Sequence, residues 1–141
     1  MRVFLAGATG ALGSRLVTPL IERGHEVIGT FHTPGKDANL VRLGAQPVRL
    51  DLLDTIAVRD AVIAAAPNAI IHQVTALSGA GFGRNLDRTF APTNQLRTQG
   101  TDALLAAAKV AGVTRFVAQS FASQAHRHRG AARVVWTWPR S

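Results

Sequence analysis

The chain has no cysteine. That excludes a disulfide framework and any metal centre built on thiolates. It has no apolar run long enough to cross a bilayer. Its first residues enter an apolar strand at once and lack the layout of an export signal. The expectation is a soluble, cytoplasmic protein that makes no use of a membrane. Acidic residues are scarce too, eight against sixteen Lys and Arg, for a formal net charge of +8. The excess is uneven. Residues 1–120 hold all eight acids and twelve of the bases, whereas residues 121–141 hold four Arg and no acid. A basic balance can signal nucleic acid, but this distribution sets the tail apart as a separate compositional unit.

What is present suffices for one domain. The chain has 141 residues, of which 47% are hydrophobic, enough to build a core. Its most informative stretch is Gly7-Ala8-Thr9-Gly10-Ala11-Leu12-Gly13. An apolar run, Val3-Phe4-Leu5-Ala6, precedes it and a helical pattern follows. A buried strand, a glycine turn and a helix start, in that order, present free backbone N–H groups to a phosphate. Gly7 lets the chain leave the strand in a tight turn. Gly10 keeps side chains away from a pyrophosphate. Gly13 lets the helix sit close on the sheet. The glycine spacing, G-x-x-G-x-x-G, differs from the general dinucleotide fingerprint, and an ordinary strand-to-helix turn is the competing reading.

The rest of the chain alternates. Strands are expected at 2–6, 25–31, 46–50, 68–73 and 113–120. Helices are expected at 11–23, 37–43, 55–66 and 94–111, with Gly24 ending the first and Pro19 kinking it or weakening one backbone bond. Ser78 to Phe82 reads as a glycine-rich, mobile stretch. The strands show little inside–outside alternation, which marks a parallel sheet covered on both faces. The fold expected is α/β, a Rossmann-type doubly wound parallel sheet of about five strands. A ligand then belongs at the C-terminal strand ends.

Four segments together resemble the extended and atypical short-chain dehydrogenase/reductases, the NAD(P)-dependent epimerase/dehydratase group. They are Gly7 to Gly13; Leu50-Asp51-Leu52; Ile71-His72-Gln73-Val74-Thr75; and the run from Asn94 through Gly100-Thr101 to Arg115-Phe116-Val117-Ala118-Gln119-Ser120. The resemblance covers residues 1 to about 122. It implies a dinucleotide cofactor, with Gly7, Thr9, Gly10, Ala11 and Leu12 holding the pyrophosphate. Asp51 would accept a hydrogen bond from the adenine amino group, and Leu52 would pack by its ring. Gln73, Val74 and Thr75 would line the riboses, and Thr75 would face the nicotinamide. Asn94 would stand where the family has an asparagine at the start of the long helix. Without the resemblance, Asp51 and Asp54 are candidates to cap the helix near residue 55, with Asp54 the better placed. Asn94 is then equally an N-cap, and the strand end is an ordinary one.

The end of the second strand selects the cofactor. Here it reads Thr30-Phe31-His32-Thr33, followed by Lys36, with no acid before Asp37. Hydroxyls, an imidazole and an ammonium suit a 2′-phosphate, so the reading leans to NADP over NAD, with Phe31 and His32 beside the ribose. Alternatively His32 and Lys36 are solvated loop residues.

The family's chemistry runs on a Tyr-x-x-x-Lys pair after the fifth strand, helped by a Ser or Thr at that strand's end. Ser120 stands at that serine position as a supporting group. The chain has no tyrosine, and its two lysines, Lys36 and Lys109, both precede the fifth strand's end. The expectation is a truncated unit: a cofactor-binding domain at 1–123 and a basic, poorly ordered tail at 124–141. The abrupt change to Arg, His and Trp reads as an out-of-frame or replaced end. The two function classes are then the NAD(P)-binding part of an oxidoreductase acting on a sugar or small carbonyl, and a non-catalytic dinucleotide sensor. A metal site at His126 and His128 lacks supporting ligands. Nucleic-acid binding by the tail ranks below a solvated terminus. Without further strands and helices, the fifth strand and the long helix should expose apolar surface and self-associate.

Overall fold

The computed structural model describes residues 1–74 and 86–119, with the backbone alone for 86–90. Five strands form one sheet: β1 (Arg2–Ala6), β2 (Glu26–Phe31), β3 (Gln46–Arg49), β4 (Ala69–His72) and β5 (Arg115–Ala118). Their spatial order is β3-β2-β1-β4-β5, and every pairing is parallel. The chain winds outward from β1 to one edge and then restarts on its other side with β4. The reversal opens a crevice beyond the C-terminal ends of β1 and β4.

Helices cover both faces. On one, α1 (Gly13–Glu22) and α2 (Asp37–Arg42) pack Val17 and Leu40 onto Leu5, Ala8 and Val27. On the other, α3 (Thr55–Ala65) and α5 (Thr101–Ala111) bury Val58, Val62, Leu104 and Ala107 against Phe4, Ile28 and Ile70. β1 therefore alternates between two cores and is buried from Val3 to Ala6. The expected doubly wound parallel sheet is the fold observed.

Local chemistry sets the ends. The Asp54 side chain accepts from the Ala57 amide at 3.0 Å and caps α3, so the capping role expected of Asp54 holds. Gly112 closes α5 in a left-handed conformation. Pro19 lies inside α1, which continues through it to Glu22; lacking an N–H, it leaves the Arg15 carbonyl without its helical donor.

One boundary differs. The long helix expected from residue 94 begins earlier, as α4 (Leu86–Gln95), and widens into a π-helical segment (Leu96–Gly100) before α5. Asn94 thus stands in the last turn of α4 with its carbonyl accepting from Thr98 Oγ1 at 2.8 Å. It is not an N-cap, and no helix starts there. Pro92 is carried inside α4. The Ser78 to Phe82 stretch, Thr75, Ser120 and the tail lie outside the described residues.

Candidate functional site

The glycine loop stands over the crevice. Gly7 has a φ of +84°, a conformation glycine adopts without strain. A Cβ on Gly7 would lie 2.9 Å from the Gln73 carbonyl carbon and from the Val74 nitrogen, so the loop touches the end of β4 directly. Gly13 has a second reason to be glycine. Any Cβ there would overlap the Gly7 carbonyl oxygen, so α1 folds back onto the turn it leaves. Gly10 is different. Among the described residues a Cβ there meets only the Gly7 carbonyl oxygen, at 3.4 Å, and its φ is not positive. Packing among the described residues demands glycine at positions 7 and 13 and leaves open space at Gly10.

The loop's amides divide the same way. The Gly7 amide donates to Thr30 Oγ1 at 3.0 Å and the Ala8 amide to the Thr30 carbonyl at 3.0 Å. The Gly10 amide donates back to the Gly7 carbonyl at 3.1 Å. The amides of Thr9, Ala11 and Leu12 have no acceptor among the described residues. Leu12 precedes α1, which has no side-chain cap and no acid in its first turn. Its exposed N-terminus carries partial positive charge and unsatisfied donors.

Thr30 is 3% exposed, so its hydroxyl cannot serve a 2′-phosphate as the sequence reading had it; the Gly7 amide takes that oxygen. His32, Thr33 and Lys36 are exposed at the same strand end, and Phe31 is half-buried against the α1–α2 core. Beyond β3, Asp51 is exposed, and its Oδ1 accepts from the Leu53 amide at 2.9 Å. Leu52 is buried in the α3–α5 core, and a Cβ on Gly100 would sit 3.4 Å from it. Its side chain is therefore core and does not offer a face to an adenine ring. The expectation of ring packing by Leu52 is corrected to that extent.

The end of β4 is held by a residue to which the sequence reading gave no task. His72 is 4% exposed, beneath the π-helical segment. Its Nδ1 accepts from the Val74 amide at 3.3 Å, so the neutral ring carries its proton on Nε2. Burial pushes the imidazole below its ordinary value; the Leu96 backbone opposes this and the Arg97 charge adds to it. Nε2 has no hydrogen-bond partner among the described residues, nor has Gln73 Oε1 next to it. A lone polar residue closing an apolar strand, Ala69-Ile70-Ile71-His72, is the signal that marks it. Elsewhere, a shallow groove between α3 and α5 is lined by Ile56, Arg59, Asp102, Ala103 and Val110, and no glycine-loop residue reaches it. Among the described residues no cluster of His, Cys, Asp or Glu could hold a metal ion, and no helix is long and apolar enough to cross a membrane.

A doubly wound parallel sheet with a glycine loop at its switch point defines a Rossmann-type architecture. The sequence places it further: residues 3–126 match the NAD dependent epimerase/dehydratase family, and the chain belongs to that family. It is 43% identical over 122 residues to a 3-diazoavenalumate denitrifying reductase of Streptomyces sp, covering 86% of this chain and 38% of that protein. It is 32% identical over 129 residues to the 2-alkyl-3-oxoalkanoate reductase of Stenotrophomonas maltophilia, covering 90% and 35%. Among solved structures it resembles a UDP-glucose-4-epimerase from Stenotrophomonas maltophila with bound NAD and formylated UDP-arabinopyranose. That match has a TM-score of 0.65 at 26% identity and covers 84% of this chain and 36% of that one. The chain thus spans little more than a third of the length of these relatives.

Proposed function

We propose that residues 1–123 bind NAD or NADP as the cofactor-holding part of an epimerase/dehydratase-like or reductase-like oxidoreductase acting on a sugar or small carbonyl compound. The observation that carries this is the pairing of unsatisfied Thr9, Ala11 and Leu12 amides with the clear space at Gly10. A diphosphate satisfies those donors and fills that space. The bound cofactor would supply hydride transfer; this chain's residues hold and orient it. Gly7, Thr9, Gly10, Ala11 and Leu12 form the pyrophosphate cradle. Asp51 offers its exposed carboxylate to the adenine amino group. Phe31 and His32 flank the adenosine ribose, and the 2′-position is left to His32, Thr33 and Lys36. Gln73, Val74 and Thr75 line the strand end towards the nicotinamide, with Ser120 as a supporting hydroxyl, and Asn94 is retained as a family position. The family's tyrosine–lysine proton-transfer pair has no tyrosine here to build it. These residues supply cofactor binding, and a dinucleotide-sensing module is the second reading. Relatives described as NAD-bound support the cofactor class. A cytoplasmic setting goes with this reading, as does a tail, 124–141, that lies outside the binding unit.

Titration with NADPH and NADH, followed by fluorescence, tests it. Gly10→Val fills the cradle and should weaken binding at least about tenfold. Gly10→Ala checks the fold, since a methyl there meets only ordinary contact. Equal binding by the wild-type and Gly10→Val proteins defeats the assignment.

A further inference from the structure

We infer that Thr30, seated on β2 and outside the glycine loop, is the positioning residue that turns the loop's free amides towards a dinucleotide diphosphate. This rests on the proposed cofactor reading, and its own basis is geometric. Six amides, Gly7 to Leu12, follow one another closely in the turn after β1, and that of Gly10 turns back to the Gly7 carbonyl. Two of them are drawn down into the protein by a single residue. The Gly7 amide donates to Thr30 Oγ1 and the Ala8 amide to the Thr30 carbonyl, each at 3.0 Å. With those two pointed at β2, the Thr9, Ala11 and Leu12 amides are left without a protein acceptor.

The residue before Thr30 completes the seat. Ala8 is fully buried, and a Cβ on Gly29 would lie 2.8 Å from the Ala8 Cβ. Only a bare backbone at Gly29 lets the loop come down far enough for both hydrogen bonds to Thr30. On the opposite side Gly7 is stopped by Gln73 and Val74 of the β4 end. The loop is thus wedged between β2 and β4, and Thr30 sets which way its amides face.

This assignment differs in a measurable way from a role at the ribose. A threonine that read the 2′-position would change the preference between NADH and NADPH. A threonine that holds the Gly7 amide acts on the diphosphate, which both dinucleotides share. Thr30→Val keeps the shape and removes the acceptor, leaving a buried N–H unpaired. Thr30→Ser restores the oxygen.

The test uses the full chain. Binding of NADH and NADPH is titrated for wild type, Thr30→Val and Thr30→Ser, and amide hydrogen exchange is followed residue by residue without ligand. We expect Thr30→Val to weaken both dinucleotides by the same factor, about tenfold, with Thr30→Ser close to wild type. Exchange should quicken at Gly7 while Ala8, whose acceptor is the Thr30 carbonyl, and Val3 to Leu5 stay protected, a local change that general loosening would not give. Three results overturn the inference: a shifted NADH to NADPH ratio, unchanged affinity for both, or a Gly7 amide still protected in Thr30→Val. If wild type binds neither dinucleotide, the functional reading fails; quickened exchange confined to Gly7 then still supports the Thr30 clamp, and its absence still overturns it.

Discussion

β1 and β5 lie two places apart in one sheet and have opposite surroundings. β1 is buried from Val3 to Ala6, with a strand on each side and helices on both faces. Among the described residues β5 pairs with β4 alone; Arg115, Val117 and Ala118 are exposed and Phe116 is half-buried. The other edge, β3, carries Pro47 between the exposed Gln46 and Arg49, which discourages a further strand from pairing there. Among the described residues the sheet therefore has one finished edge and one open one. Cohesion and the candidate site both concentrate where β2, β1 and β4 meet, because only there is each apolar side chain enclosed and each loop wedged from two sides.

The contrast can be broken most severely at its closed centre. Gly13→Ala places a methyl onto the Gly7 carbonyl oxygen, a backbone atom held by the turn. We expect a loss of at least about 3 kcal/mol, seen as a lower urea midpoint or no folded protein. An unchanged midpoint would mean that α1 does not dock on the loop as described.

A smaller effect should follow from acid. The His72 ring is held below its ordinary value by burial, so the folded state favours the neutral form. The unfolded chain takes up the proton first, at about pH 6.5. The contribution is complete above that value and is lost as pH falls through the folded-state value. Protonation also removes the acceptor for the Val74 amide. Urea midpoints measured from about pH 7.5 down to about pH 5 should fall for wild type and fall less for His72→Asn, which does not titrate. Parallel curves for the two proteins would remove His72 from the account.

The mildest change tests the open edge. Val117, 58% exposed on β5, and Val110, 65% exposed on α5, leave apolar surface in water. Val117→Lys should alter stability by no more than about 0.5 kcal/mol and reduce self-association in sedimentation experiments. If wild type already sediments as a single small species at high concentration, the open edge is not a sticky one.

Much of this was legible in the residues. Glycine spacing after an apolar run places the strand-to-helix glycine loop, because tight backbone approach leaves few alternatives to glycine. The Asp54 cap is local chemistry, readable within four residues. What escaped depends on distant partners. Thr30 looks like a ligand-facing hydroxyl until β2 is seen to lie under the Gly7 amide. Leu52 looks like a surface beside a ring until α5 is packed on it. The start of α4 was hidden by Pro92 and by the low apolar content of Leu86 to Gln95, where Leu86, Phe90 and Ala91 stand among polar residues.

The π-helical segment has a further consequence. It widens the backbone spiral over Leu96–Gly100, so the helix on one side is rotated in phase against the helix on the other. That rotation brings bare Gly100 over Leu52 and the His72 ring. The count of residues in this stretch is thus a constraint separate from their identity. Exchanging side chains leaves the phase intact, whereas deleting a single residue turns α4 against α5 by about 100° and swings a different neighbour over the histidine.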